Sequence, residues 1–309
     1  MYKYRISVIM PCYNSSQHIK DSVMSIIGQS FQDWELIIVD DASSDNTLEI
    51  ISNIFDKRIK IIRLKKNRGN YYARNKGIKI AKGKYITMLD SDDIAMNHRL
   101  EIQYDFLEKN KHIGGIGTNF SAIDQNGNVY SNVIRTCTYS KFKVMLLKDN
   151  YMLQSSIMIR SHSIRKHKLF YNTKYTVASD YDFIYQCSKK IRIFNIDDIL
   201  VKYRIHENNI TNTKRNEQIN YSNTIRSLMF KEMFGKVLNV KDYSIINKAF
   251  SREIITINKY EIDHLLLILN RILDYNLKNK IFQPTLLYNL FEYVLLVDIP
   301  TKNRFNSKI

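Results

Sequence analysis

Proline and glycine are scarce in this 309-residue chain. Only three prolines occur, at positions 11, 284 and 300, and eight of the nine glycines precede residue 130. Because these residues mark turns and helix ends, we expect tight turns in the N-terminal half and plain helix towards the C-terminus. With 44% apolar or aromatic residues, the chain can build one large α/β domain and an appendage.

Cysteine is also rare. Cys12, Cys137 and Cys187 are widely spaced, and no two of them form a CxxC pair. This pattern excludes a framework of disulfides and a zinc knuckle of the usual spacing. Reduced thiols in a cytoplasmic protein are the simplest interpretation.

Long apolar runs are absent from the sequence. In the C-terminal part the longest are Leu265–Leu269 and Val294–Val297, far short of the roughly 20 residues that a membrane-spanning helix needs. The polar start Met1–Arg5 and the strand-length run Ile6–Met10 do not have the pattern of a secretory signal. We therefore expect a soluble protein.

Basic residues outnumber acidic ones, 47 against 30, and the net charge of +17 is spread along the chain. Solvated lysines that keep the protein soluble are one interpretation. Attraction to anionic lipid headgroups or phosphorylated carriers is a second. Nucleic acid is a third, but no nucleic-acid-binding motif accompanies the charge, so nucleic acid is not among the predicted partners.

Up to about residue 110, short apolar runs alternate with segments of helical periodicity. Four runs have the apolar character of strands covered on both faces: Ile6–Met10, Leu36–Val39, Ile59–Leu64 and Tyr85–Leu89. The helices predicted between them lie near Ser16–Gln29, Asp45–Phe55 and Tyr71–Ala81. This order predicts a mostly parallel sheet flanked by helices, with a ligand beyond the carboxyl ends of the strands.

Beyond residue 110 the pattern loosens. Further strands are predicted at Ile113–Asn119, Ser155–Arg160, Ile191–Asn195 and Leu200–Arg204, and a helix at Asp180–Ser188. From about Asn216 the chain is helical, and Pro284 opens a last helix. We therefore predict a catalytic or binding domain at residues 1–211 and a helical C-terminal extension at residues 212–309.

Three carboxylates lie within four residues after the fourth predicted strand, in Asp90-Ser91-Asp92-Asp93. Such a cluster repels itself unless a cation or water separates the charges. Mg²⁺ and Mn²⁺ prefer oxygen ligands and keep waters and substrate phosphates in their shell, so the cluster predicts a metal site. A solvated acidic turn, or a helix cap in which Asp93 starts a helix from Ala95, is the alternative.

Polar residues also follow the first two strands. Pro11–Asn14 follow the first, and Asp40-Asp41, which follow the second, can accept hydrogen bonds from a base or a ribose. The loop Asn67–Asn70 leads to a basic helix start that includes Arg74, an arrangement that suits an anionic diphosphate. An exposed loop beside a basic helix face is the alternative here.

Two further candidates lie late in this part of the chain. Asp180 begins a predicted helix and is either a helix cap or a general base that faces an acceptor hydroxyl. His206 follows the last predicted strand and either completes a metal shell or is structural. Arg204, just before it, is a candidate phosphate ligand.

Taken in order, these stretches resemble glycosyltransferase family 2, whose members have the nucleotide-sugar-binding GT-A fold. The similarity covers about residues 4–211 and includes the family's DxD motif at Asp90-Ser91-Asp92. The other similar segments are Val8–Asn14, Gln29–Phe31, Trp34–Leu36, Val39–Thr47, Asn67–Gly69, Ala73–Gly77, Ser179–Phe183 and Tyr203–His206. Ser179 stands where the family often has an acidic residue, and residues 212–309 match nothing in the family pattern.

The resemblance implies a role for each matched residue. Residues 1–110 would be the nucleotide-binding half and residues 111–211 the acceptor-binding half of a GT-A catalytic domain. Asp180 would be the catalytic base of an inverting displacement, and Asp92 with His206 would bind Mn²⁺ or Mg²⁺. The residues expected to contact the UDP-sugar donor are Pro11, Tyr13, Asn14, Asp41, Asn67, Arg74, Asp90 and Ser91.

We therefore expect a metal-dependent, inverting glycosyltransferase that moves a hexose or N-acetylhexosamine from a UDP-sugar to a hydroxyl of an oligosaccharide or lipid-linked glycan. A basic protein with an amphipathic tail and no secretion signal suits the inner face of a bacterial membrane, where lipopolysaccharide, O-antigen or capsule is made. Peripheral contact with that membrane and a homo-oligomer formed through the C-terminal helices are further hypotheses.

Two alternatives remain at this point. A nucleotidyltransferase would need a glycine-rich phosphate loop near the first strand, and Pro11–Ser16 contains no glycine. A catalytically silent sugar- or membrane-binding module is the second alternative. The presence of Asp90, Asp92 and Asp180 together argues against that module.

Overall fold

The computed structural model describes residues 2–207, 209, 213–251, 256–300 and 303. The chain divides into two compact units, Met1–Cys137 with Met152–Asn209, and Thr138–Tyr151 with Ile210–Ile309. The predicted boundary between residues 211 and 212 lies outside the described residues and stays a prediction. The segment Thr138–Tyr151 belongs to the second unit because Val144 and Leu147 pack into that unit's apolar core.

The first unit is a sheet flanked by helices. Its strands are β1 (Tyr4–Cys12), β2 (Trp34–Asp40), β3 (Ile59–Arg63), β4 (Gly83–Met88), β5 (Ile94–Ala95), β6 (Gly115–Ile123), β7 (Val129–Val133), β8 (Met158–Arg160) and β9 (Ile193–Arg204). Its helices are α1 (Ile19–Ile27), α2 (Thr47–Ser52), α3 (Asn70–Ile80), α4 (Arg99–Lys109), α6 (Ser161–His167) and α7 (Ser179–Lys190).

The strand order is β3-β2-β1-β4-β8-β6-β9-β5, with β7 beside β6. From β3 to β4 every pairing is parallel, as the alternation of strands and helices predicts. Beyond β4 the sheet is mixed, since β8 runs antiparallel to both β4 and β6 while β6 and β9 are parallel. The predicted α/β architecture is confirmed, and the antiparallel pairings all involve strands that follow β4 along the chain.

Burial explains why the first strands form where they do. The apolar runs of β1 and β2 are almost wholly buried, as expected for strands covered by helices on both faces. Helix α1 buries Ile19, Val23 and Ile26, which share one face at helical spacing. On the other side, a Cβ at Gly77 would lie 2.5 Å from Ile9 Cγ2, so glycine lets α3 approach β1 closely. This contact fixes the position of α3 at the carboxyl edge of the sheet.

The second unit is helical. It consists of α5 (Tyr139–Met145), α8 (Arg215–Phe234), α9 (Val240–Phe250), α10 (Lys259–Asn279) and α11 (Pro284–Tyr293). Capping boxes at Asn239 and Asn258 begin α9 and α10, and Pro284 opens α11 as predicted. None of the described helices is long and apolar enough to cross a lipid bilayer.

Candidate active site

The polar loops after β1 and β4 meet at one edge of the sheet. Strands β1, β2 and β4 are parallel and adjacent, so their carboxyl ends point the same way. Ser15 Oγ lies 2.8 Å from Ser91 Oγ, which joins the loop after β1 to the acidic turn after β4. The sheet thereby gathers segments that are far apart in the sequence.

Asn14 ties the loop after β1 to the loop after β2. Its backbone N–H donates to Ser43 Oγ at 2.9 Å, and its side-chain oxygen accepts the Ser44 N–H at 2.8 Å. Its φ of +50° lies in the left-handed region, which asparagine tolerates better than most residues. Next to it, Tyr13 is 49% exposed, and an exposed ring at this edge offers a stacking surface for a base. Pro11 is buried and pairs with Val39.

Asp40 and Asp41 have different surroundings. Asp40 is fully buried, and its Oδ1 accepts the Ser43 N–H at 3.2 Å, so it organises the loop from within. The two carboxylate oxygens of Asp41 accept the backbone N–H groups of Arg68 and Gly69 at 2.8 and 2.7 Å. Burial raises the pKa of Asp41, and these N–H groups oppose the rise.

The loop that Asp41 holds contains Asn67. Its side-chain oxygen accepts the Gly69 N–H at 3.2 Å, and Gly69 has a φ of +87° that favours glycine. Asp41 therefore positions the turn that leads into α3, in addition to any contact it makes with a ligand.

A buried arginine, Arg74, forms an ion pair with the half-buried Asp90. Arg74 lies on α3, is only 2% exposed, and its guanidinium donates to Asp90 Oδ1. Burial raises the pKa of Asp90 and Arg74 opposes the rise, whereas the charges of Asp92 and Asp180 add to it. Three of the predicted acidic residues therefore act on one another through space, although Asp180 is ninety positions from Asp90 in the chain.

Asp92 and His206 are brought together. His206 Nε2 lies 3.1 Å from Asp92 Oδ2, across a separation of 114 residues. Among the residues that the structure describes, no group of three or more His, Cys, Asp or Glu side chains is arranged to hold a metal ion. Mg²⁺ and Mn²⁺ often take only one or two protein ligands and complete their shell with substrate phosphates and water. A carboxylate and an imidazole side by side fit such an ion.

Asp93 and Arg204 are structural, in contrast to two of the alternatives that the sequence left open. Asp93 is fully buried and accepts the Arg204 N–H at 3.0 Å, and α4 begins only at Arg99, so Asp93 does not cap a helix. The guanidinium of Arg204 is itself buried and donates to the main-chain oxygens of Asp92 and Gln125 at 2.9 and 2.8 Å. The hypothesis that Arg204 meets a phosphate was wrong, because this guanidinium instead fixes the backbone of Asp92.

Asp180 approaches from the later half of the unit. It is the second residue of α7, whose preceding residue Ala178 has a φ of +60°. Its Oδ1 accepts a hydrogen bond from the Tyr71 hydroxyl at 3.2 Å. Ser179 donates to the carbonyl of Asn172 at 2.9 Å, so the residue that departs from the family pattern holds the loop before α7.

Tyr71 and Tyr171 are the site residues that the sequence did not single out. Tyr71 lies three positions before Arg74, a spacing that puts both on one face of α3, so helical periodicity was a signal for it. Tyr171 stacks on Tyr71 with ring centroids 5.6 Å apart, and no sequence pattern marks it. Its hydroxyl accepts a hydrogen bond from Gln154 at 2.6 Å.

The sheet order and the clustered acidic side chains define a GT-A-type glycosyltransferase. Residues 7–173 match the model of glycosyl transferase family 2, and the chain belongs to that family. It is 32% identical over 224 residues to the Escherichia coli UDP-Glc:alpha-D-GlcNAc-diphosphoundecaprenol beta-1,3-glucosyltransferase WfgD, covering 70% of this chain and 83% of WfgD. The protein is therefore a glycosyltransferase.

Two solved structures support the fold. S. aureus TarS 1–349 in complex with UDP-GlcNAc gives a TM-score of 0.64 at 18% identity and covers 98% of this chain and 92% of that one. The mannosyltransferase PcManGT from Pyrobaculum calidifontis, in complex with GDP-Man and Mn²⁺, gives a TM-score of 0.58 at 13% identity, with coverages of 99% and 88%. At these identities the likeness concerns the fold alone.

Proposed function

We propose that this glycosyltransferase inverts the anomeric carbon as it transfers a hexose or N-acetylhexosamine from a UDP-sugar to a hydroxyl of an oligosaccharide or lipid-linked glycan. The observation that supports this proposal is that one helix, α3, contacts both Asp90, through Arg74, and Asp180, through Tyr71. Asp92 lies two positions after Asp90. UDP-Glc in the name of WfgD and UDP-GlcNAc in the TarS complex support a uridine nucleotide as donor.

The donor would lie along the loops after β1, β2 and β4. Tyr13 offers an exposed ring to the base, and Asp41 lies beside the turn of Asn67 where a ribose would bind. Pro11, Asn14 and Ser91 would line this site, held in place by the strand and loop contacts described above. Arg74 and Asp90 would border the diphosphate and the sugar, the buried guanidinium giving a fixed positive charge next to an anionic group.

Asp92 and His206 would hold Mn²⁺ or Mg²⁺ together with the diphosphate. When bound, such an ion neutralises the charge that develops on the departing UDP. The Arg204 guanidinium keeps the Asp92 backbone in place, so the carboxylate is presented from a rigid turn. This arrangement is the basis on which we propose metal dependence.

Asp180 would be the base. The acceptor oxygen forms a bond to the anomeric carbon while the bond from that carbon to the UDP oxygen breaks, and the hydroxyl proton passes to the Asp180 carboxylate. One displacement of this kind inverts the anomeric configuration and needs one base and no enzyme nucleophile. Asp180 comes from the later half of the unit and contacts α3 through Tyr71, which suits a base on the acceptor side.

The acceptor and its pathway are proposed from the named activity of WfgD and from the charge of the chain. WfgD by its name glycosylates a diphosphoundecaprenol-linked sugar, which supports a lipid-linked acceptor and synthesis of bacterial surface polysaccharide such as lipopolysaccharide, O-antigen or capsule. The net charge of +17 supports cytoplasmic work at an anionic membrane face. Exposed apolar residues of the second unit, Leu267, Leu277 and Leu296, support peripheral contact or a homo-oligomer through the C-terminal helices.

Membrane contact is tested by vesicle flotation of the full chain. We expect the protein to float with anionic phosphatidylglycerol vesicles at low salt and to dissociate as salt screens the attraction. Equal failure to float with anionic and with zwitterionic vesicles would remove this part of the proposal and leave the glycosyltransferase assignment untouched.

The donor and the metal are tested together by hydrolysis and transfer assays. A panel of UDP-, GDP- and TDP-sugars is incubated with Mn²⁺, Mg²⁺ or a chelator, and nucleotide release is measured with and without a lipid-diphosphate sugar acceptor. We expect release from a UDP-sugar that requires the metal and rises with the acceptor. Release from a GDP- or TDP-sugar alone, or full activity in chelator, contradicts the donor or the metal assignment respectively.

A further inference from the structure

We propose that Tyr71 is a positioning residue of this reaction, whose hydroxyl holds the Asp180 carboxylate in the orientation that faces the acceptor. The inference rests on the proposed function, since it takes Asp180 as the base. It adds a residue of α3, the donor-side helix, to the machinery that acts on the acceptor side.

The contact is direct. Tyr71 is the second residue of α3 and is buried, and its hydroxyl oxygen lies 3.2 Å from Asp180 Oδ1. The two residues are separated by 109 positions in the chain and come from different halves of the first unit. The hydrogen bond is partly buried, and hydrogen bonds with one ionised partner are stronger than those between neutral groups.

The direction of this hydrogen bond follows from the chemistry of the phenol. Burial raises the pKa of Tyr71 well above its ordinary value, and the negative charge of Asp180 raises it further, while Arg74 and the Asp180 backbone N–H oppose. Tyr71 therefore stays protonated, and its hydroxyl donates the hydrogen bond to the Asp180 carboxylate. An ionised carboxylate only accepts, so one of its oxygens is fixed by this donor.

The phenol itself is held rigidly. The ring of Tyr71 stacks on Tyr171, and Tyr171 stacks on Phe183 with centroids 4.2 Å apart and an interplanar angle of 16°. Phe183 lies on α7, about one turn after Asp180. Asn75 of α3 bonds the backbone of Tyr171 in both directions, at 2.8 and 2.9 Å. This column of three rings connects α3 to the helix that presents the base.

The same column touches the donor side. The Arg74 guanidinium lies 5.6 Å from the centroid of Tyr71 and 5.9 Å from that of Tyr171, within cation–π range, and it pairs with Asp90. Titratable groups near Asp180 include Tyr71 of α3, Asp90 after β4 and Tyr171 before α7, and the charge of Asp180 adds to the rise in pKa that burial causes in all three. Of these three, Tyr71 donates a hydrogen bond to the Asp180 carboxylate.

Removing the hydroxyl while keeping the ring separates positioning from packing. In Tyr71→Phe the stack and the cation–π contact remain, so donor affinity should stay within about twofold, whereas kcat should fall by about tenfold, the size expected for a hydrogen bond to a charged group. A positioning role acts on the chemical step, so the KM values for donor and acceptor should stay near those of the wild type while kcat falls.

Tyr72→Phe is the matched control. Tyr72 lies next to Tyr71 on α3, and its hydroxyl accepts a hydrogen bond from Arg68 Nη1 at 2.9 Å. This variant loses one hydroxyl and one hydrogen bond as well, and we expect the kcat and KM values of the wild type. UDP affinity, measured by calorimetry, and the melting temperature report on the integrity of both variants.

The outcomes separate the two levels of the proposal. A fall in kcat at unchanged KM in Tyr71→Phe, with wild-type kcat in Tyr72→Phe, supports positioning. Wild-type kcat in Tyr71→Phe, or a loss of kcat that follows only a lower melting temperature, overturns it. If Asp180→Asn retains wild-type transfer, the base assignment itself fails; if Asp180→Asn is inactive and Tyr71→Phe is normal, only the inference about Tyr71 fails.

Discussion

Three aspartates lie within four residues of one another, yet the structure gives each of them a different partner. Asp90 pairs with Arg74, Asp92 lies against His206, and Asp93 is buried against the Arg204 N–H. The sequence predicts a cluster with a cation-binding function, because like charges so close together need compensation. It cannot assign a partner to each residue, since all the partners come from distant segments.

Asp180→Asn tests the base. The amide keeps the shape of the side chain but cannot take a proton, so we expect kcat to fall by about 10² to 10⁴, the usual contribution of general base catalysis, with UDP affinity unchanged. Steady-state kinetics and calorimetry measure the two quantities. Asp182→Asn, two positions later on α7 and hydrogen-bonded to Gln186, is the control and should retain activity. Equal losses in both variants would point to damage to α7.

Asp92→Asn and Asp93→Asn should separate metal binding from stability. Asp92→Asn weakens the pair with His206, so we expect the Mn²⁺ concentration for half-maximal activity to rise by tenfold or more, with a melting temperature near that of the wild type. Asp93→Asn disturbs a fully buried hydrogen bond and should cost about 1–3 kcal/mol of stability with little effect on metal activation. Metal titrations and denaturant unfolding distinguish the two patterns, and a swap of the effects would refute our assignment of these side chains.

At the scale of elements, helix α3 is the central support of the site. It presents Arg74 to Asp90 and Tyr71 to Asp180 from one face, and it reaches β1 through Gly77. The strand-to-turn contact of Asp41 with the backbone of Arg68 and Gly69 sets where the helix begins. Small shifts of α3 therefore affect the donor side and the acceptor side together.

Gly77→Ala should displace this helix. The added Cβ would meet Ile9 Cγ2 at 2.5 Å, and we expect a loss of about 1–3 kcal/mol in stability from overpacking. Because α3 holds both Arg74 and Tyr71, UDP affinity and kcat should fall in the same variant. Lys76→Ala, on the exposed face of α3, is the control for helix substitution. Wild-type kinetics in Gly77→Ala would show that the helix position is not critical.

Glu108 links α4 to β4, and its contribution should depend on pH. Burial works against its ionisation, but hydrogen bonds from Lys111, Lys84 and Tyr85 lower its pKa to about 2. A depressed carboxyl pKa stabilises the fold above the ordinary value of 4.5, and that stabilisation is lost as the pH falls towards 2. We expect Glu108→Gln to lose about 1 kcal/mol at neutral pH, and the difference from wild type to shrink below pH 4.5. A difference that does not change with pH would contradict this origin.

The elements that the sequence predicts best are those whose apolar runs are short and fully buried, such as β1 and β2. Two strands predicted at Ile191–Asn195 and Leu200–Arg204 are one strand, β9, whose parallel pairing with β6 shifts register between Asn195 and Ile199 and then continues. Hydrophobic periodicity does not predict helix α4, because two of its buried positions, Arg99 and Gln103, are polar. These side chains bond to each other, and Arg99 also bonds to strand β4. Buried polar side chains weaken the apolar stripe on which such predictions depend.

For the whole molecule, the resemblance to the family predicts the fold, which local sequence patterns do not specify. The order of the motifs predicts the fold, and the fold brings Asp92 to His206 and Asp180 to Tyr71 across more than a hundred residues each. Neither the ring column of Tyr71, Tyr171 and Phe183 nor the inward turn of Arg204 has a sequence signature. These contacts depend on side-chain packing, which only the three-dimensional structure specifies.

Ligand binding should stabilise the first unit as a whole. Under the proposed function UDP and Mn²⁺ bind the folded site and not the unfolded chain, and at about a hundredfold excess over the dissociation constant this would add about 2.7 kcal/mol. We expect a rise in melting temperature that needs both ligands and is absent in Asp92→Ala. An equal rise with UDP in the presence of chelator would show that the metal does not contribute to nucleotide binding.

A crystal structure with UDP and Mn²⁺ bound tests most directly whether these acidic side chains surround one donor site. We predict the uridine beside Tyr13 and Asp41, and the metal between the diphosphate, Asp92 and His206. The Asp180 carboxylate should lie on the sugar side of the diphosphate, held by Tyr71. A nucleotide bound elsewhere, or Asp92 and Asp180 turned away from it towards unrelated surfaces, would contradict the proposed active site.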